Sequence, residues 1–171
     1  FNGFYASMYY SYDDRNSIAN YNFTPIFDSL FPGQPNVAAD FDGYKSSRIG
    51  IGFSFTPYQK YMMEPKRKVV LGSKWPEFSV GYEKGVPGLF GSVINYDYVN
   101  FSILHTFNVR TLGTSSYRFE AGKFLNRENL KREDNKIFGQ SDRWFFASFL
   151  TSMQLQDTTL NVTDSYLKLN Y

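Results

Sequence analysis

His105 is the one histidine of the chain. A catalytic imidazole needs a nucleophile to deprotonate and a third group to orient it. Serine and asparagine are plentiful, as a lipase-like set on the outer wall of a barrel would require, yet no spacing selects a pair for His105. It shares a strand face with Phe101, Ile103, Phe107 and Val109, and reads as a packed strand residue. Glu77, Glu83, Asp97 and Glu120 are the carboxylates that acid–base chemistry could pair. Arg48, Arg110, Arg118 and Lys123 offer them counter-ions, so ion pairs are the expectation. Asp13-Asp14, Asp40-x-Asp42 and Asp134 carry oxygen ligands for Ca²⁺ but form no complete ligand loop, and read as turn formers. Lys66-Arg67-Lys68 could touch phosphate-bearing lipid heads or lipopolysaccharide, but reads first as a solvated turn. Gly85-x-x-Gly88-x-x-Gly91 lacks the Lys-Ser/Thr and the helix of a phosphate loop, and reads as a turn. With no cysteine there is no thiol nucleophile, disulfide or thiolate metal site. No catalytic, cofactor or metal site is expected, and the chain reads as non-enzymatic.

The elements that position these residues are strands. Aromatics make up 20% of the 171 residues, with 14 Tyr and 18 Phe, types that favour strands and, for Tyr, an apolar–water boundary. The mean hydropathy of −0.41 hides no run near the roughly 20 apolar residues of a transmembrane helix, but alternating barrel strands average out to such a value. The net charge of +2 is mild, and no basic patch interleaves with aromatics, so nucleic acid is not an expected partner. The chain begins at Phe1 without a leader-like segment, and reads as the C-terminal part of a longer protein, one barrel region over 1–171.

Residues 48–56 show the alternation best: Ile49, Ile51, Phe53 and Phe55 on one face, Arg48, Gly50, Gly52 and Ser54 on the other. Similar patterns run over 2–12, 77–83, 98–110, 117–124, 143–150 and 165–171, which predicts seven or eight strands. Residues 13–46 read as a long loop, in which 20–30 could form a short helical turn or pack inside a lumen, and 126–142 as a charged loop. Residues 58–75 read as mixed, 84–91 as a turn, and 111–115 as a tight turn that makes the next strand antiparallel.

The fold class expected is all-β: an antiparallel transmembrane β-barrel of the outer-membrane type, or a segment of a larger one. A soluble sandwich would carry Lys, Glu and Thr on its second face. Here that face carries Gly50, Gly52, Ser54, Ser79, Gly81, Ser102 and Gly122 among charges, which suits a crowded, wet lumen. Arg48, Glu83, Arg118 and Glu120 are therefore candidates to face the lumen, and Ile49, Ile51, Phe53 and Phe55 to face lipid. Tyr58, Tyr61, Trp75 and Trp144, with Tyr96, Tyr98, Phe145 and Phe146, fall near strand ends, where an interfacial girdle would sit. The alternative is a soluble or surface-exposed all-β binding module for a glycan or protein ligand.

The stretches GIGFSFTPYQKY and EPKRKVVLGSKWPEFSVGYEKG, then GLFGSVINYDY and SYRFEAGKF, resemble the outer-membrane β-barrel region of a Gram-negative family of unknown function. Its members often carry an N-terminal carboxypeptidase-like regulatory domain. The resemblance is best over 41–124, with LGSKWPEFSVGYEKG its most specific part. It implies residence in the bacterial outer membrane and roles in transport, envelope assembly or anchoring of a periplasmic domain. Outer-membrane lipid, the barrel assembly machinery and other envelope proteins are the implied partners. Leu167, Leu169 and Tyr171 resemble the aromatic-ending strand that such machinery recognises.

Overall fold

A computed structural model describes residues 3–17, 42–65, 67–138 and 160–171. The described residues are all-β and contain no α-helix. Ten strands form: β1 (Phe4–Arg15), β2 (Tyr44–Phe55), β3 (Lys60–Glu64), β4 (Arg67–Gly72), β5 (Glu77–Gly85), β6 (Asn95–Asn108), β7 (Thr114–Asn129), β8 (Lys136–Phe138), β9 (Leu160–Val162) and β10 (Ser165–Asn170). Six of them make one antiparallel sheet in the order β1-β2-β5-β6-β7-β10. The ribbons β3–β4 and β8–β9 are inserted into its connections. Each strand therefore lies beside its predecessor in the sheet, the simplest antiparallel path. Among the described residues β1 and β10 are edges, and no closed barrel forms.

The ladder is longer than the alternation indicated. Asp13, Asp14 and Arg15 pair with Ser46, Lys45 and Tyr44, so the expected loop at 13–46 begins and ends inside strands. Cross-strand charge pairs make this possible: Arg48 bonds Asp13, and Lys45 lies 3.9 Å from Asp14. β7 likewise runs on to Asn129, into the segment read as a loop, which also holds β8. The mixed segment 58–75 folds as the β3–β4 ribbon, whose bulge between Lys60 and Tyr61 breaks the two-residue period. Residues 18–41 and 139–159, and with them the readings at 20–30, Asp40, 143–150, Trp144, Phe145 and Phe146, lie outside the described residues, as does Lys66.

Register places every apolar half-strand on one face. One cross-strand row reads Ala6, Phe53, Val80, Phe101, Ala121, Leu167; the next reads Phe4, Phe55, Phe78, Ile103, Phe119, Leu169. The other face carries rows Ser7, Gly52, Gly81, Asn100, Gly122, Tyr166 and Tyr9, Gly50, Glu83, Tyr98, Phe124. The apolar face is open: Phe53 is 48% exposed, Leu167 71% and Met8 73%. The small core of Ile94, Tyr96 and Phe124, with Tyr44, Tyr98 and Leu130 packed against it, sits instead on the polar side of the sheet.

The turn between β5 and β6 closes over one end of β2. Gly88 and Gly91 take φ of 79° and 80°, a region that costs glycine little. The turn passes through Phe90, whose φ of 50° is unusual for a large side chain. The Phe90 ring packs against Tyr10 and Tyr12, at centroid distances of 6.4 and 6.0 Å. Ser92 accepts the Ser47 N–H, and the Ser47 hydroxyl donates to the Leu89 carbonyl.

Candidate functional site

Among the described residues the polar face carries a network of side-chain bonds, and glycines make room for it. A Cβ on Gly50 would fall into the Tyr9 ring, and one on Gly122 would meet the Tyr166 ring and the Tyr98 hydroxyl, 2.8 Å away. Without those Cβ atoms, tyrosines lie flat over the sheet and reach past a neighbouring strand. Tyr9 on β1 crosses β2 to donate to Glu83 on β5, and Tyr96 on β6 donates to the other Glu83 oxygen. The Tyr98 and Tyr166 hydroxyls meet at 2.8 Å across Gly122.

At the end of the sheet where β1 stops, a charged cluster continues this face. The Asp134 carboxylate is wholly buried. It receives Arg15 at 2.9 Å and the Tyr44 hydroxyl at 2.9 Å, with Arg48 at 4.0 Å. Arg48 also bonds Asp13, and Arg15 donates to the Tyr44 hydroxyl. Asp14 and Lys45 occupy the opposite face beside Tyr44, so the strand has left the apolar band at that point. Burial, reinforced by the bond to Asp134, pushes the Tyr44 phenol well above its ordinary range. Further along, Phe138 of β8 packs edge-on against Tyr166 at 4.7 Å, and the buried Lys168 ammonium sits 5.1 Å over the Phe138 ring. Ser7, Tyr9, Glu83, Tyr98, Asn100 and Lys136 line a half-open cavity of about 260 Å³ between β8 and the sheet.

Arg48, Glu83, Arg118 and Glu120 all lie on this face, and Ile49, Ile51, Phe53 and Phe55 all lie on the other. Arg118 and Glu120 pair at 3.4 Å. Glu83 bonds two tyrosines, where an arginine partner was expected. Asp97 is not on this face: it pairs with Lys84 at 2.8 Å and accepts Tyr82 on the apolar side, where Lys123 also lies. Glu83 and Glu120 are two rows apart, about 13 Å along the strands, so no carboxylate pair forms from them. Asp13 and Asp134 are ion-pair partners of arginines; the turn-former reading missed this.

His105 bonds the Lys74 carbonyl at 3.1 Å and packs against Phe107 and Tyr117, at ring distances of 5.2 and 5.5 Å. Tyr58 and Trp75 pack at 5.9 Å where the β3–β4 ribbon leaves the sheet, and Lys68 lies 3.9 Å over the Tyr61 ring. Tyr96 and Tyr98, expected in a girdle, are instead core residues of the polar side. Tyr9, Tyr44, Tyr166 and Arg15 were missed altogether. Their only signal is register, which sets Tyr9 beside Gly50, Tyr166 beside Gly122 and Tyr44 beside Arg15, and a single sequence does not display register.

These features define a class: an antiparallel meander with one apolar face open and one polar face filled by tyrosine, glycine and ion pairs. The chain belongs to the family described as "Family of unknown function (DUF5686) C-terminal domain", whose model matches residues 1–171. No curated protein and no solved structure matches it.

Proposed function

We propose that this chain is wall of an antiparallel β-barrel in the bacterial outer membrane, non-enzymatic, serving transport, envelope assembly or the anchoring of a periplasmic domain. One observation carries the reading: the apolar face stands open, while the small core lies on the polar side. Phe4, Met8, Phe53, Phe55, Val80, Leu167 and Leu169 stand exposed on a continuous surface of six strands. A monomer in water rarely leaves more than a few hundred Å² of apolar patch uncovered. Hydrocarbon is the solvent that costs this surface nothing. On β1 the band from Phe4 to Tyr12 covers about 26 Å of strand, near the height of a barrel's apolar belt before tilt is considered. Tyr10, Tyr12 and Phe90 cluster at one end of the band, and Tyr58, Trp75, Phe107 and Tyr117 at the other, as two interfacial girdles would. The polar face then meets water inside the wall. The edges β1 and β10 need partners, because hydrocarbon satisfies no backbone group. Further strands would supply them, with the assembly machinery and other envelope proteins as partners.

The absence of cysteine makes the test direct. Single spin labels are introduced by Ile51→Cys, Phe53→Cys and Val80→Cys, and by Arg48→Cys, Ser54→Cys and Ser79→Cys, in protein reconstituted into lipid vesicles. The first set is expected to collide with dissolved oxygen, and the second with a water-soluble nickel complex. Water-like accessibility at all six positions, in a protein monodisperse without detergent, would replace the barrel with the soluble or surface-exposed binding module.

A further inference from the structure

Residues 56–76 hold five Lys and Arg against the single acid Glu64, although the whole chain carries only +2; the remainder is net negative. This basic segment is the connection that contains the β3–β4 ribbon. It leaves β2 just after Phe55 and returns to β5 just before Phe78, two residues of one apolar row. The ribbon therefore stands on the rim of the apolar face.

Its side chains are outward on both sides. Met62, Met63, Val70 and Leu71 are exposed, as are Lys60, Arg67, Lys68 and Lys74. Such exposure leaves the methionines and aliphatics with water unless something covers them. The cations interleave with aromatics: Lys68 stacks on Tyr61, and Lys74 neighbours the Trp75 that packs on Tyr58. Arg67 reaches Glu64 at 2.6 Å, an exposed pair of small net worth that a phosphate can displace. At the ribbon's base, Ser73, Lys74, Thr106, Phe107 and Asn108 line a cleft of about 490 Å³. One cation and several hydroxyl and amide groups thus surround a space whose Phe107 belongs to the apolar face.

We propose that the β3–β4 ribbon and the cleft at its base bind anionic, phosphate-bearing lipid headgroups along one rim of the sheet. The proposal rests on the membrane reading and adds a partner and a side to it. Charge complementarity names the occupant: interfacial cations each add attraction to an anionic bilayer, while methionines, Tyr61 and Trp75 enter the headgroup–acyl boundary. The charged cluster at the opposite end works differently, since Asp13, Asp14 and Asp134 already neutralise Arg15, Lys45 and Arg48 there.

The experiment places an environment-sensitive fluorophore on Met63→Cys, and in a parallel sample on Phe53→Cys, in the full chain reconstituted into vesicles. One vesicle set is phosphatidylcholine alone; the other includes phosphatidylglycerol. The Met63 probe is expected to shift to the blue only in the anionic vesicles. That shift is expected to be lost at high salt, and lost again when Lys60→Gln, Arg67→Gln, Lys68→Gln and Lys74→Gln are combined. The Phe53 probe is expected to report lipid in every sample, which shows that the combined variant still inserts. A Met63 signal identical in both lipids, or unchanged in the combined variant, overturns the headgroup site while the Phe53 signal leaves the barrel standing. A Phe53 probe that reports water overturns the membrane reading itself.

Discussion

Gly52 and Phe53 are neighbours on β2 and point to opposite sides of one sheet. Phe53 stands between Ala6 and Val80, half exposed, and stacks with Phe4 at 6.1 Å. Gly52 lies in a row of small and polar residues, where a Cβ would come within 2.9 Å of the Ser7 hydroxyl. The face that resembles a core by composition has no cover, and the face that resembles a surface holds the small core and the tyrosine–glycine contacts. Packing density and hydrophobicity, which coincide in a protein dissolved in water, are separated here. The apolar face should tolerate changes of shape and reject charge. The polar face should tolerate little added volume and depend on its ion pairs.

The sharpest test of that contrast is Phe53→Arg. In lipid vesicles it should lower unfolding stability by about 2–4 kcal/mol, as a charge near the bilayer midplane does. A loss under about 0.5 kcal/mol, ordinary for an exposed site in water, would break the comparison. On the other face, Asp134→Ala should cost about 2–3 kcal/mol by urea unfolding. That is less than a fully buried broken pair, because Asp13 still lies within reach of both Arg15 and Arg48. Gly122→Val should cost about 1–3 kcal/mol, since its methyls would displace the Tyr166 and Tyr98 side chains. A neutral result there would mean that the tyrosines do not occupy the glycine slot. Phe53→Leu should stay within about 1 kcal/mol, because the site is not packed to a fixed shape.

The smallest effect concerns pH. The Tyr44 phenol is raised in the folded state and ordinary, near 10, in the unfolded one. The folded protein then holds its proton more tightly. Stability from Tyr44 is complete below about pH 10 and declines as pH rises above it. Tyr44→Phe should flatten that alkaline decline, read as unfolding midpoints between neutral and strongly alkaline pH. An unchanged slope would assign the decline to other groups.

The alternation in residues 48–56 displayed both faces, because a two-residue period is local and survives in the text. Extension past the apolar band was hidden. Asp13, Asp14 and Arg15 have turn-like chemistry until Tyr44, Lys45 and Arg48 are known to stand beside them. The β3–β4 ribbon was hidden for a related reason: its strands are short, and the bulge where the ribbon opens shifts the pairing there. The tyrosine network was illegible because Gly50 and Tyr9 meet only through register, and Asp134 reaches Arg15 from the far side of the chain. Asp97 and Lys123 show the limit of reading charge as inward-facing, since both sit on the apolar side, Asp97 towards one end and Lys123 in the row of Met8, Ile51, Tyr82 and Val99.

The hydroxyls that skip a strand also bear on how the sheet is put together. Tyr9 finds Glu83 only once β1, β2 and β5 are all in place, and Tyr98 finds Tyr166 only after β10 has joined β7. A lone hairpin of β1 and β2 would leave the Tyr9 phenol without its carboxylate. Growth by one strand at a time therefore returns part of its stabilisation a strand late, and removal of an edge strand breaks bonds two strands deep. Three-strand groups, more than hairpins, are the units in which this wall should zip and fray.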